Sequence, residues 1–295
     1  MKMIQLTEKC FYFQGAVNIG YIRSGKFGML IDAGLDAQTA KKVCRQLTEL
    51  SFPLTHLFIT HAHADHYGGA AYIQEKHHVY TFASKEEAAI LTNPILEPLY
   101  LFQGNKPLPE LRNKFLEAAP ILIDEEAAEG EHQFGDVLFE CIAFPGHSLM
   151  QLGVKADGIL FAADAYFGTA QLKKHKIPYI IDAEDTLQSL EKLLTTKCLG
   201  AVPGHGTYEE AFQETVKQNL EYHQHVLSVL YNMLSGDSLT HEQIIQKMCR
   251  QFDVNPPSLS SWLLFRTAIT AYATKLVKDK KAQMVVEDAI LYLKR

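Results

Sequence analysis

Between Ile59 and His66 the chain reads Ile-Thr-His-Ala-His-Ala-Asp-His, placing three imidazoles and a carboxylate within six positions. Neutral imidazole and carboxylate are the donors that a borderline divalent ion such as zinc prefers, and no cysteine lies near enough to compete. His61 and His63, two apart on a loop, can face one ion, while Asp65 and His66 turn onto the next bend and face another. Four donors in so short a loop cannot all reach one ion comfortably, so the spacing predicts two metals. A polar surface loop that merely happens to be rich in histidine fits less well, because His is a minor residue here and the neighbours are small or apolar.

Three more polar residues stand where apolar runs end. Pro145-Gly146-His147-Ser148 follows the run that closes at Phe144, and Pro203-Gly204-His205-Gly206 follows Cys198–Val202. A Pro-Gly turn at a strand end presents its histidine as a further ligand. The run Ile159–Ala163 ends on Asp164, and a carboxylate at the end of a buried strand is costly unless it meets a cation. Taken singly, each histidine would be an ordinary turn residue. Taken in order after the first cluster, they form a set.

These donors need strands to carry them. Leu57-Phe58-Ile59 reads as a short buried strand, and Gly68-Gly69 as a turn into a helix that continues to Lys76. Upstream, Phe11–Phe13, Val17–Ile22 and Met29–Gly34 are β-type runs separated by turns at Gly15 and Ser24-Gly25-Lys26, an antiparallel meander. Residues 36–50 carry Val43, Leu47 and Leu50 at helical spacing, and Pro53 ends that segment. After a strand at Val79–Phe82, Ser84 with Glu87 three residues on reads as a capping box. It opens a helical insertion, punctuated by Pro94, Pro98, Pro107 and Pro109, that runs over 84–119. Its Leu96, Leu99, Tyr100, Leu101, Phe102 and Phe115 would dock the insertion or line a pocket. Ile121–Ile123, Phe134–Phe144 with a turn at Gly135-Asp136, and Leu152–Val154 read as strands, and Leu187–Leu194 as an amphipathic helix.

The composition sets bounds. At 295 residues and 47% hydrophobic the chain can bury one large core plus an appendage. No basic amino-terminal segment precedes an apolar stretch, and no apolar run is long enough to cross a bilayer, so a cytoplasmic protein without a membrane partner is expected. Cys10, Cys44, Cys141, Cys198 and Cys249 are scattered without paired spacing and read as reduced core residues. The net charge of −6 is uneven: residues 241–295 hold nine Lys and Arg against five Asp and Glu, the remainder nineteen against twenty-nine. An acidic body argues against a nucleic-acid backbone as the main substrate.

The order HxHxDH, PGH, Ala-Asp-Ala-Tyr-Phe and PGHG resembles the metallo-β-lactamase superfamily over roughly residues 10–208. The resemblance implies an α/β fold, a four-layer αβ/βα metallo-β-lactamase sandwich with metals at one edge. Carried over, His61, His63 and His147 would hold the first ion, Asp65, His66 and His205 the second, and Asp164 would bridge them. Asn18 and Asp32 match the opening strands of the family, where an Asp at the position of Asp32 supports the metal loop from behind; a plain strand-ending Asp is the alternative. Asp164 matches glyoxalase II, lactonase and nuclease-like members, whereas zinc β-lactamases place cysteine or no ligand there. The flavodiiron branch replaces the second histidine by a carboxylate, but His63 is present. Tyr166 departs from glyoxalase II-like sequences. Lactonase-like members often place a phenol nearby, which makes Tyr166 a candidate donor to the substrate carbonyl, with a core tyrosine as the alternative.

From Glu209 the pattern changes to long helical periodicity. Thr240 with Gln243 is a capping box, Pro256-Pro257 breaks, Ser258–Val277 is a second helix, and Gln283–Val286 with Ile290–Leu293 reads as a hairpin. Residues 209–295 thus form a mostly helical, winged-helix-like module beside a catalytic domain at 1–208. The helix that would enter a groove carries only Arg266 and Lys275 as cations, and Lys275, Lys278, Lys280 and Lys281 read as a solvated helix end. Packing over the metal cleft, or joining two subunits as a homodimer, suits it better than nucleic acid. The expected function is a dinuclear hydrolase in which a hydroxide between two divalent ions, zinc before iron or manganese, attacks a small thioester, ester or lactone, with Asp65 and Asp164 as catalytic carboxylates. A metal-dependent nuclease is the alternative, and a mononuclear iron dioxygenase the third.

Overall fold

The computed structural model of the chain describes residues 1–236 and 238–295. Strands β1 (Lys2–Gln5), β2 (Cys10–Gln14), β3 (Ile19–Ser24) and β4 (Phe27–Ile31) form the antiparallel meander. Helix α1 (Ala37–Glu49) returns the chain to β5 (His56–Phe58), parallel to β4. Asp36 caps α1 by accepting from Thr39 N–H at 3.0 Å, and Ala40, Val43, Cys44 and Leu47 form its buried stripe. A single turn, α2 (Ala64–Tyr67), and α3 (Ala70–His77) lead to β6 (Tyr80–Ala83), parallel to β5. After α4 (Lys85–Thr92) and α5 (Leu96–Leu101), β7 (Glu125–Glu126) completes the seven-stranded first sheet in chain order.

The second sheet has the order β12-β11-β10-β9-β8. It comprises β8 (Gly130–Phe134), β9 (Val137–Ala143), β10 (Leu152–Ala156), β11 (Ile159–Ala163) and, after α6 (Thr169–His175) and α7 (Ala183–Thr195), β12 (Gly200–Pro203). Only the β11–β12 pair is parallel in this sheet. Then follow α8 (Phe212–Met233), β13 (Leu239–Thr240), α9 (His241–Gln251), α10 (Leu259–Lys278), β14 (Gln283–Glu287) and β15 (Ile290–Lys294), with a small sheet in the order β13-β15-β14.

The buried residues sort into layers. Ile22, Met29, Phe58, Phe82, Phe139, Val154 and Phe161 fill the space between the two sheets. Behind the first sheet Leu30, Leu57 and Ile59 pack with Val43, Leu47 and Ile73 of α1 and α3; behind the second, Ile142, Leu160 and Ala162 pack with Leu190, Leu193, Phe212 and Val216. The result is the four-layer αβ/βα sandwich. Strand β11 is buried at all five positions because it is interior to its sheet and covered on both faces. Helix α8 serves two cores: Phe212 and Val216 belong to the sandwich, Val226 and Leu230 to a carboxy-terminal core with α9 and α10. Among the described residues no helix is long and apolar enough to cross a membrane.

Several local expectations are corrected. The 84–119 insertion is not one helical stretch: α4 and α5 are followed by a single 3-10 turn at Pro109–Leu111 within irregular chain. Four prolines remove the donors a continuous helix needs. Ile121–Ile123 is loop, and the strand comes later, at β7. Strand β1 and helix α6 lack a clear periodic signal and do not follow from the sequence pattern. The Thr240–Gln243 capping box is complete, but at Ser84 only half of one forms.

Candidate metal centre

The loop after β5 and the turn α2 carry His61, His63, Asp65 and His66; the ends of β9, β11 and β12 bring His147, Asp164 and His205 to the same edge of the sandwich. Three groups of donor atoms each lie within 4.8 Å of one another: His61, His63 and His147; His61, His66 and Asp164; and Asp65, His66 and His205. His63 Nδ1 and His147 Nε2 face each other across 2.9 Å. Asp164 stands between the two sets, Oδ1 3.4 Å from His66 Nε2 and Oδ2 3.4 Å from both His147 Nε2 and His205 Nε2. His205 Nε2 also lies 3.4 Å from Asp65 Oδ2.

The outer nitrogens are tied down. His66 Nδ1 meets Asp32 Oδ2 at 2.7 Å, and Asp32 also accepts from Thr60 N–H and Thr60 O–H. His61 Nδ1 lies 3.0 Å from the Thr60 hydroxyl, His147 Nδ1 3.0 Å from the Tyr179 carbonyl, and His205 Nδ1 2.7 Å from the Ala16 carbonyl. Such contacts turn the inner nitrogens toward the centre. Asn18 donates to the carbonyls of Pro203 and Gly206, both at 2.9 Å, and so clamps the loop that carries His205.

Backbone geometry aims the carboxylate. Ala163 takes φ 49°, in the left-handed region, beside an irregularity in the β11–β12 register, and this kink turns Asp164 inward. A Cβ on Gly204 would stand 2.0 Å from Asp164 Oδ1, so only glycine fits behind that carboxylate.

The electrostatics mark a cation site. Against the cost of burial, the charges of His205 and His66 hold Asp164 well below the usual carboxylate range. Reciprocally, Asp164 and Asp32 overcome burial to hold His66 well above the ordinary histidine value, and Asp164 lifts His205 to about 10. Burial and the neighbouring imidazole of His147 push His63 down to about 3, and burial with His66 lowers His61 strongly. Among the described residues His61 Nε2, His66 Nε2 and Asp164 Oδ1 are buried without a hydrogen-bond partner. Orphaned buried polar atoms of this kind are expensive unless something charged completes them. The donor set fits divalent cations.

Above the centre lies a cavity of about 260 Å³, bordered by His63, Asp65, His147, Asp164 and His205 below and by Phe115, Leu116, Phe167, Tyr179 and Leu264 around. Leu264 comes from α10, whose Leu263 packs with Leu101, Leu111 and Leu116 of the insertion. The insertion therefore both docks and lines: Leu101 is buried in that contact, whereas Phe115, 65% exposed, borders the cavity. A second groove of about 620 Å³ adjoins at Asp65, Phe115, Gln171 and His205 and carries Lys174.

Tyr166 is the site candidate that the structure turns away. It is 1% exposed, packs with Phe212 under the second sheet, and does not border the cavity. Two residues past Asp164, which the kink at Ala163 points inward, its side chain goes into the apolar layer, where burial and the nearby Glu209 push the phenol pKa well up. The phenol that does border the cavity is Tyr179, whose buried hydroxyl lacks a partner among the described residues and whose ring lies 5.4 Å from His63 and 5.7 Å from His147. Sequence reasoning also missed Glu87. Its carboxylate accepts from Ala62 N–H at 2.8 Å, Ser148 O–H at 2.8 Å and Met150 N–H at 2.9 Å, joining the two histidine loops. Missed as well were Glu97 and His175 on the cavity wall. The one available signal for Glu97 was a lone acid inside the apolar Ile95–Leu101 segment.

Residues 12–205 match the family model described as the metallo-beta-lactamase superfamily. A lactamase-like protein, adaB, of Aspergillus niger is 24% identical over 224 residues, 74% of this chain and 58% of that protein. A hydroxyacylglutathione hydrolase of Bradyrhizobium sp. is 25% identical over 179 residues, 57% of this chain and 59% of that protein. The matches thus span less than two thirds of these curated relatives. A beta-lactamase domain protein from Burkholderia ambifaria superposes with a TM-score of 0.76 at 14% identity, covering 99% of this chain and 93% of that one. A metallo-beta-lactamase family protein from Thermus thermophilus gives 0.75 at 17% identity, covering 95% and 94%. At such identities the likeness is one of fold.

Proposed function

Because the chain belongs to the metallo-beta-lactamase superfamily, we propose that it is a dinuclear metal-dependent hydrolase of small thioesters, esters or lactones. The observation that carries this reading is the convergence of seven donors with three buried, unpartnered ligand atoms at the floor of a cavity. His61, His63 and His147 would hold one ion, Asp65, His66 and His205 a second, with Asp164 shared between them; zinc suits this set, as do iron and manganese. Water activated near neutral pH and a polarised carbonyl are the chemistry that divalent ions supply in such a place. The second donor set also weighs against a mononuclear iron dioxygenase.

The chain's own groups do the rest. Asp65, on the cavity floor, is placed to orient the attacking water, and Tyr179 to donate its hydroxyl to the carbonyl oxygen as charge develops there. Phe167, Leu116 and Leu264 keep bulk water out. A cavity of about 260 Å³ is at the small end for ligand pockets, so a compact acyl part suits it, with the leaving group over the adjoining groove.

The carboxy-terminal order helix, strand, helix, helix, hairpin supports the winged-helix-like reading of that module. A nuclease finds less support there. Leu263, Ala268, Ile269 and Tyr272 of α10 are buried, Lys275 and Lys281 are paired with Asp279, and Lys278 is paired with Asp182 and Glu184. A lid over the small-molecule cavity suits α10 better. Metal analysis of the purified protein with a panel of thioesters, lactones and labelled RNA tests the proposal. About two ions per chain and hydrolysis of the small esters, lost in Asp164→Ala, are expected; RNA cleavage without ester hydrolysis would refute it.

A further inference from the structure

Four of the five histidines at the centre have an outer partner within hydrogen-bond range. His63 is the exception. Its Nδ1 faces His147 and the centre, and its Nε2 makes no hydrogen bond among the described residues. The group set opposite that nitrogen is the carboxylate of Glu97, with Oε1 4.0 Å away. Glu97 is 3% exposed, and its other oxygen accepts from the Tyr100 hydroxyl within the same helix, α5. Its Oε1 makes no hydrogen bond among the described residues, and Glu97 borders the cavity. It is also held firmly, because Leu101 of α5 is docked with Leu111, Leu116 and Leu263.

We propose that Glu97 is a positioning residue: it accepts the Nε2–H of His63, fixes the tautomer that presents Nδ1 to the first ion, and so sets the affinity of that site. This rests on the two-ion reading given above. Closing 4.0 Å to about 2.8 Å asks for an approach of about 1.2 Å between the two groups. The insertion thereby gains a role beyond lining the cavity. It delivers an outer partner to the one of the five histidines that otherwise lacks one among the described residues, and α10 braces the helix that does so.

The experiment compares wild type with Glu97→Gln and Glu97→Leu. Dissociation constants of both ions are measured by competition with a chelator. Long-range nitrogen–proton spectra of the histidine rings report which imidazoles are occupied. Glu97→Leu is expected to weaken the ion held by His61, His63 and His147 by about ten- to a hundredfold, and Glu97→Gln, which retains an acceptor oxygen, by less. The ion at Asp65, His66 and His205 should change by no more than about threefold. The slowly exchanging Nε2–H resonance of His63 should be present in metal-loaded wild type and absent in Glu97→Leu. The metal-free Leu variant should unfold at the same urea concentration as wild type or a higher one, since an apolar group replaces a buried acid.

An unchanged first-site constant in Glu97→Leu overturns the inference. So does equal weakening of both ions together with a lower metal-free midpoint, which would make Glu97 only a brace for the insertion. Wild type that holds no ion at His61, His63 and His147 would instead overturn the dinuclear reading, so the two failures are distinguishable.

Discussion

Asp32→Asn changes one atom type and almost no volume, yet it should disable one ion and spare the other. Oδ1 of Asp32 accepts from Thr60 N–H at 2.9 Å, and an asparagine oxygen can keep that bond. Oδ2 meets His66 Nδ1 at 2.7 Å. There the asparagine would offer an N–H, and two donors would oppose each other. The imidazole relieves the conflict by giving up its Nδ1 proton and keeping the one on Nε2, the nitrogen that faces Asp164 at 3.4 Å and would have to bind the ion. Restoring the productive tautomer means breaking a hydrogen bond to a group that was charged in wild type, a loss of about 1.5–3 kcal/mol. That corresponds to about ten- to a hundredfold in the dissociation constant of the ion at Asp65, His66 and His205. The ion at His61, His63 and His147 should keep its affinity within about threefold. Chelator competition followed by metal analysis reads both constants, and histidine ring spectra report the His66 tautomer. Two ions bound with wild-type affinity in Asp32→Asn, or a His66 ring still protonated on Nδ1, would refute the reasoning.

Three further outcomes are expected. Tyr179→Phe should lower kcat by about a hundredfold with metal content unchanged, whereas Tyr166→Phe should alter kcat by less than about twofold; steady-state kinetics on the best ester decides between the two phenols. Glu87→Ala leaves the Ala62 and Met150 amides and the Ser148 hydroxyl without their acceptor. Urea unfolding should register a loss of at least about 3 kcal/mol, and an unchanged midpoint would show that Glu87 does not join the two loops. His205 is raised to about 10 by Asp164, so its contribution to metal-free stability is complete below the unfolded value near 6.5 and is lost as pH climbs toward about 10. Metal must displace that proton and the one on His66. Titration with zinc at pH 7 in weak buffer should therefore release at least about two protons, and affinity should rise with pH over the same window; no release would contradict the charge assignment.

The convergence of the candidate donors was legible because they stand where apolar runs stop, His147 and His205 behind a turn as well. His147 and His205 follow Pro-Gly, and Asp164 follows five apolar residues. The meander and the α1 crossover were legible for a similar reason, since Val43 and Leu47 repeat with helical period and Gly25 marks the turn between strands. Tyr166 shows where this fails. Its distance from Asp164 along the chain is two residues, but which side it faces depends on the φ of Ala163, and alanine carries no signal of a left-handed backbone. Glu87 failed differently. Ser84-x-x-Glu87 satisfies a local rule, and Ser84 does cap α4; the carboxylate was drawn away by donors 25 and 61 residues distant. Helix α5 and the irregular chain after it were overestimated because apolar content was taken as helix where prolines interrupt it. Long-range partners and backbone handedness are properties of the assembled chain.

The allocation of the seven donors has a mechanical corollary. His61, His63, Asp65 and His66 hang from the plate that contains β5, and His147, Asp164 and His205 from the plate that contains β9, β11 and β12. An ion seated among them would work as a rivet through both plates as well as a reagent. Without it that rim would be fastened by the hydrogen bonds of Asn18 and Glu87 together with those of His205 to Ala16 and Leu152 to Thr60. Amide exchange in the chelator-treated protein should then quicken first along this rim, at Asn18 N–H and Gly204 N–H, while the opposite ends of the sheets stay protected.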